Sequence, residues 1–197
     1  AMNDGNRVPV IVGSTDSEYR LYLMPDSGLK KITTHDVNMV IHALGLPADV
    51  FQAYIKNSIS AENPGDVYAQ IMSDYTFRMP ALHIAQIMSR NQNTWFYHFS
   101  WRSPAYNGFL GAAHFVDVPF TFGTIHTKEA ENFVGINPPQ SLSDSINDAW
   151  GGFAKYGNPG WPKYSDKDKK TMFFDTKSYL GTLGDQQITA LWENFRF

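Results

Sequence analysis

Thr94-Trp95-Phe96-Tyr97-His98-Phe99-Ser100-Trp101 decides the fold, because it reads as the strongest strand in the chain and is aromatic on both faces. A strand with bulky rings on alternate sides needs cover above and below, which is the situation of a central strand in a layered α/β protein. A second apolar run, Val8-Pro9-Val10-Ile11-Val12, is rich in β-branched residues, too short for a helix and closed by Gly13-Ser14. It too reads as a strand buried on both faces, with Pro9 tolerated near its beginning. Thr171-Met172-Phe173-Phe174-Asp175 adds a third short strand.

Helical patterns fill the intervals. Asp16 is positioned to cap a short helix over Glu18 to Leu23, ended by Pro25 and Gly28. Val37, Val40, Ile41 and Leu44 keep helical spacing up to Gly45, and Pro47 opens a second helix with Val50, Phe51, Tyr54 and Ile55. Asn63-Pro64 is an N-cap followed by proline at the first helical position, ahead of Val67, Ile71 and Tyr75. Pro80 is expected to interrupt that helix before another over Ala81 to Met88. A further helix runs from Gln140 to Tyr156, with Leu142, Ile146, Trp150 and Phe153 along one stripe, and Ile188 to Trp192 lies in a terminal helix. Strands alternating with helices predict an α/β architecture with a mainly parallel sheet, organised as one unit over residues 1–197. Ala1 before Met2 reads as a residue left by a removed tag.

Composition narrows the chemistry. The 197 residues include no Cys, which removes thiol nucleophiles, disulfides, iron–sulfur clusters and Cys-ligated zinc. Sixteen Lys and Arg stand against 19 Asp and Glu, so no basic surface is available to follow a nucleic-acid backbone. No apolar run is long enough to span a membrane. Ala1 to Arg7 carry no apolar signal region, and the compartment is left open. Absent as well are a Gly-x-Ser-x-Gly nucleophile elbow, a zinc-binding His-Glu-x-x-His helix, a phosphate-binding loop and a dinucleotide turn. The Gly151-Gly152 pair falls inside a helix and is not an oxyanion loop. No cofactor or metal is expected.

Among six His residues, His42, His83 and His98 are expected in hydrogen-bonded structural roles, His35 at a helix start and His126 in a loop. His114 differs, lying in Gly108-Phe109-Leu110-Gly111-Ala112-Ala113-His114, beyond the C-terminal end of the aromatic strand. Ligands and reacting groups collect at that edge of open α/β sheets. Glu18 follows the first strand in the same way, so the two residues can meet above the sheet. A carboxylate that accepts the Nδ1 proton of an imidazole fixes its tautomer. Spacing alone favours the other reading, an ordinary helix-start Glu and an unrelated loop His.

Val8-Pro9-Val10-Ile11-Val12-Gly13-Ser14-Thr15-Asp16-Ser17-Glu18 resembles the strand and turn bearing the acidic residue of type B carboxylesterases, which include para-nitrobenzyl esterases and cholinesterases. Gly111-Ala112-Ala113-His114, then Asp117-Val118-Pro119-Phe120-Thr121-Phe122, is similar to the family's histidine motif with its acidic residue three positions later. Trp150 to Pro159, then Trp161-Pro162-Lys163-Tyr164, resembles the family's C-terminal helix and turn. Ser17 and Tyr19 flank Glu18 where the family usually has Asp and Gly, and Phe115 stands where a small residue is common. The resemblance covers about the last two-fifths of a family member, without the serine elbow or the oxyanion glycines.

The resemblance implies the C-terminal part of an α/β-hydrolase fold, in which His114 is the general base and Glu18 orients it toward a serine absent from this chain. Asp117 either holds the histidine loop or caps it. Trp95, Phe96, Phe120 and Phe122 either line an acyl pocket or pack the core. It further implies a small-molecule ester as substrate of the complete enzyme and no turnover by this chain alone. The partner is then a missing N-terminal half, or a second copy joined through an exposed sheet edge. A non-catalytic esterase-like binding module is the alternative.

Overall fold

The structure, a computed structural model, describes residues 8–24, 28–57, 62–183, 186–192 and 195. Ala1, Met2 and Pro25 lie outside them. Among the described residues four strands form one sheet in chain order: β1 (Val10–Thr15), β2 (Thr94–Phe99), β3 (Lys170–Phe174) and β4 (Tyr179–Thr182). β1 runs parallel to β2 and β2 parallel to β3, whereas β4 returns antiparallel on β3. β2 is central, and its rings divide as alternation requires. Trp95 and Phe99 join an apolar cluster with Phe120, Leu142, Ile146 and Phe174, while Phe96 joins Val37, Ile41, Tyr54, Val67, Ile71 and Leu82. Helices α6 (Val118–Thr121), α7 (Lys128–Val134) and α8 (Gln140–Tyr156) cover the first face. The second is covered by α2 (Thr34–Ala43), α3 (Val50–Asn57), α4 (Pro64–Ser73), α5 (Met79–Met88) and α9 (Gln186–Trp192); α1 (Gly28–Lys31) packs on α4. Burying a side chain such as Phe96 or Ile71 contributes about 1.5–3 kcal/mol. No described helix is long and apolar enough to cross a membrane.

β1 departs from the expectation of burial on both faces. Val10, Ile11 and Val12 are only partly buried, since β1 ends the sheet and pairs with β2 alone among the described residues. The strand also runs on through Gly13 and Ser14 to Thr15 rather than stopping at the glycine. Gly13 is required by close approach: a Cβ there would collide with the Tyr97 carbonyl oxygen.

Pro80 does not interrupt its helix. α4 passes through one π-helical turn, Asp74–Arg78, directly into α5, so the path from Pro64 to Met88 stays helical. A wide turn immediately before the proline accommodates its missing N–H and its ring, which would otherwise break an α-helical ladder. Glu18–Leu23 forms a 3-10 helix whose N-cap is Ser17, not Asp16, and no side chain caps it. Asp16 instead reaches the Nε2 of buried His98 at 3.3 Å. His42 and His83 were expected in hydrogen-bonded structural roles, yet both are exposed on helix surfaces.

Candidate active site

The chain leaving β2 makes a closed excursion. Ser103 donates its N–H to the Gly111 carbonyl, and the isolated bridge between these residues folds the intervening loop back on itself. Gly111 lies at φ +59°, a left-handed conformation suited to glycine. Ala112 then accepts from the N–H of Ser17, and the His114 N–H donates to the Glu18 carbonyl at 3.1 Å. Two backbone bonds thus join the segment after β2 to the segment after β1, at the C-terminal edge of the parallel strands.

The side chains meet across this junction. The Nδ1 of His114 lies 2.7 Å from Oε2 of Glu18, which is almost fully buried. The other oxygen of Glu18 accepts the Thr15 N–H at 2.7 Å, so both ends of the carboxylate are held. The imidazole is 41% exposed, and its Nε2 has no partner among the described residues. Tyr22 stacks on the ring at 5.8 Å, and Phe77, from the π-helical turn, stands 5.1 Å away. A ring whose Nδ1–H donates to a carboxylate presents Nε2 as a proton acceptor toward solvent.

Asp117 sits close by but not as a cap. It occupies the N-cap position of α6 and its carboxylate makes no capping bond; it accepts instead from the Tyr97 hydroxyl at 3.3 Å. Burial, and then the charge of Glu18, raise Asp117 to about 6. Burial and the neighbouring Asp117 raise Tyr97 well above the usual phenol range. Trp95, Phe96 and Phe120 are packed in the two cores, while Phe122 is exposed. Among the described residues no three His, Asp or Glu side chains cluster closely enough to hold a metal ion.

Sequence reasoning did not anticipate Arg20, Tyr22, Phe77 or Tyr97. A partial signal exists for the support of the turn. Asp66, Gln70 and Ser73 recur at i, i+4 and i+7 on α4 although all three are buried polar residues.

Helices on both faces of a largely parallel sheet, with a carboxylate-anchored imidazole above the C-terminal strand edge, define a portion of an α/β-hydrolase fold. The chain belongs to the carboxylesterase family, whose family model matches residues 1–192. It is 30% identical to the para-nitrobenzyl esterase of Bacillus subtilis over 183 residues, covering 86% of this chain and 35% of that protein. It is 26% identical to an acylcarnitine hydrolase of Rattus norvegicus over 200 residues, again 35% of that protein. The fold matches a Geobacillus stearothermophilus carboxylesterase with a TM-score of 0.79 at 23% identity, over 94% of this chain and 40% of that one. A thermophilic para-nitrobenzyl esterase structure gives 0.70 at 25% identity, over 93% and 38%. The chain therefore spans about a third of the length of the curated relatives it matches.

Proposed function

We propose that this chain carries the acid–base half of a carboxylic ester hydrolase: His114 is the general base and Glu18 orients it, for a serine nucleophile that lies outside these 197 residues. The observation that carries the reading is the 2.7 Å contact between Glu18 and His114 with the opposite ring nitrogen open to solvent. In such a cycle Nε2 takes the proton of the serine hydroxyl as it attacks the ester carbonyl. It then returns that proton to the departing alkoxide. Glu18 holds the ring in the Nδ1–H tautomer and stabilises the imidazolium form.

The sequence contains no serine elbow. Without a nucleophile and its oxyanion donors, the pair has no transition state to stabilise, so the chain alone is inactive. An activated aryl ester tests both halves of the proposal. The isolated chain gives turnover no higher than its His114→Ala variant, and turnover well above that variant refutes its inactivity. Supplied with a polypeptide carrying a serine elbow and oxyanion donors, the wild-type chain restores hydrolysis, and His114→Ala lowers it by at least about 10³-fold. Equal complemented rates for the two forms refute the role of His114.

A further inference from the structure

The turn bearing Glu18 is held by polar groups where a helix face would ordinarily be apolar. Asp66, Gln70 and Ser73 are 7%, 2% and 1% exposed. Gln70 Nε2 donates to the Asp16 carbonyl at 2.8 Å, and Ser73 Oγ accepts the Tyr19 N–H at 2.9 Å. Asp66 Oδ1 accepts from Nη1 of Arg20 at 2.6 Å, with both side chains about 8% exposed. Ser73 completes its own bonding by donating to the Ala69 carbonyl. One buried stripe of α4 thus grips the backbone on both sides of Glu18.

Arg20 extends the grip to the histidine loop. Its Nε donates to the Phe109 carbonyl at 2.9 Å, and its guanidinium lies 5.6 Å from the centre of the Phe109 ring. The loop runs alongside Arg20 at Gly111, where a Cβ would stand in ordinary contact, 3.5 Å from Arg20 Nε. Glu18 and Arg20 are two positions apart on a 3-10 helix with about three residues per turn, so they leave it in different directions. One engages the imidazole, and the other engages the loop that delivers the imidazole.

We infer that Arg20, clamped by Asp66, is a positioning residue that sets the geometry of the Glu18–His114 pair by tying the histidine loop to α4. A desolvated arginine joining one carboxylate and one carbonyl fixes both in orientation, because its planar donors have a set fork. Lysine offers a single ammonium and cannot hold both partners in that geometry. The inference rests on the proposed reading of the Glu18–His114 pair, and the test separates the two.

The readout is the tautomer of His114 in the whole chain, measured from imidazole nitrogen shifts in alkaline buffer where the ring is neutral. The wild type shows the Nδ1–H form, and Glu18→Ala returns the ring to the mixture favouring Nε2–H that a free imidazole adopts. Arg20→Met, which keeps the aliphatic stem, loses the Nδ1–H form to a similar extent, and so does Asp66→Asn. Arg20→Lys recovers part of it. The buried His98 reports in each variant that the rest of the fold is retained. A Glu18→Ala variant with an unchanged tautomer overturns the pair itself. If Glu18→Ala shifts the tautomer while Arg20→Lys and Asp66→Asn keep the wild-type ratio, the clamp alone is overturned, whatever the folding of Arg20→Met.

Discussion

Glu18 and His114 stand 96 residues apart in the chain, yet they are joined twice: side chain to side chain at 2.7 Å, and backbone carbonyl to backbone N–H at 3.1 Å. The second bond gives the first its precision, because it fixes the two main chains before either side chain chooses a rotamer. It also makes the consequences of substitution unequal.

Glu18→Ala removes the buried acceptor of the Thr15 N–H as well as the partner of His114. An orphaned buried donor costs about 1–3 kcal/mol. His114→Ala removes a partly exposed ring and leaves Glu18 bonded to Thr15, so its cost is smaller. Urea unfolding of the two variants checks the order, and equal losses contradict it.

Asp117 gives stability a predictable pH dependence. Burial and the Glu18 charge raise its carboxyl from 3.8 to about 6, so the folded chain holds this proton more tightly than the unfolded chain. Its destabilising contribution is absent below the unfolded value, grows between pH 3.8 and about 6, and is complete above. The full effect is about 3 kcal/mol. Asp117→Asn is therefore more stable than the wild type at neutral pH, and the advantage shrinks as pH falls through that window. Urea midpoints for both proteins at several pH values decide it; a constant difference refutes the assignment.

Gly13→Ala places a methyl group against the Tyr97 carbonyl and ring, with strand pairing on that side leaving no room for retreat. Overpacking of this kind costs about 1–3 kcal/mol. A lowered thermal midpoint is expected, and an unchanged midpoint shows that β1 yields at this point.

Beneath the second apolar cluster, fully buried Asp74 accepts from Tyr54 at 2.5 Å and from Arg78 at 2.6 Å, and Trp192 donates to the Tyr54 hydroxyl. Asp74→Ala leaves the Arg78 guanidinium without its carboxylate and costs about 3–5 kcal/mol. Replacing both charges, as Asp74→Leu with Arg78→Met, costs less than the single change. Chemical denaturation of the single and double variants tests this, and a double variant worse than the single refutes it.

β1 ends the sheet with no partner on its outer side among the described residues, and an unpaired strand edge recruits other strands. The mass of the chain by light scattering is expected to rise with concentration. A constant monomer mass at high concentration refutes self-association through this edge.

The strands and the long helix were legible because their signals are local and dense. Trp95, Phe96 and Phe99 are buried wherever β2 goes, and α8 keeps Leu142 and Ile146 on one stripe over the residues read from the sequence. β4 was not legible, since three of its four residues are exposed and no alternation marks it. α7 was missed for a similar reason, with only Ala130 and Val134 buried in a polar segment. Pro80 misled because a proline rule assumes α-helical geometry, and the preceding turn is π-helical.

For the site, the sequence by itself determined the ingredients: a Glu after one strand, a His after another, family motifs in order around both, and no serine elbow to complete them. Spacing could not decide whether Glu18 and His114 meet, because spacing along a chain does not report distance across a loop of that length. Only the tertiary structure decided it, through the Ser103–Gly111 bridge, the backbone bond between Glu18 and His114, and the buried polar stripe of α4. The physical reason is that these are hydrogen bonds between groups remote in sequence, each requiring a partner in place. Apolar periodicity marks the face a segment buries, but it does not specify which buried donor will find which acceptor.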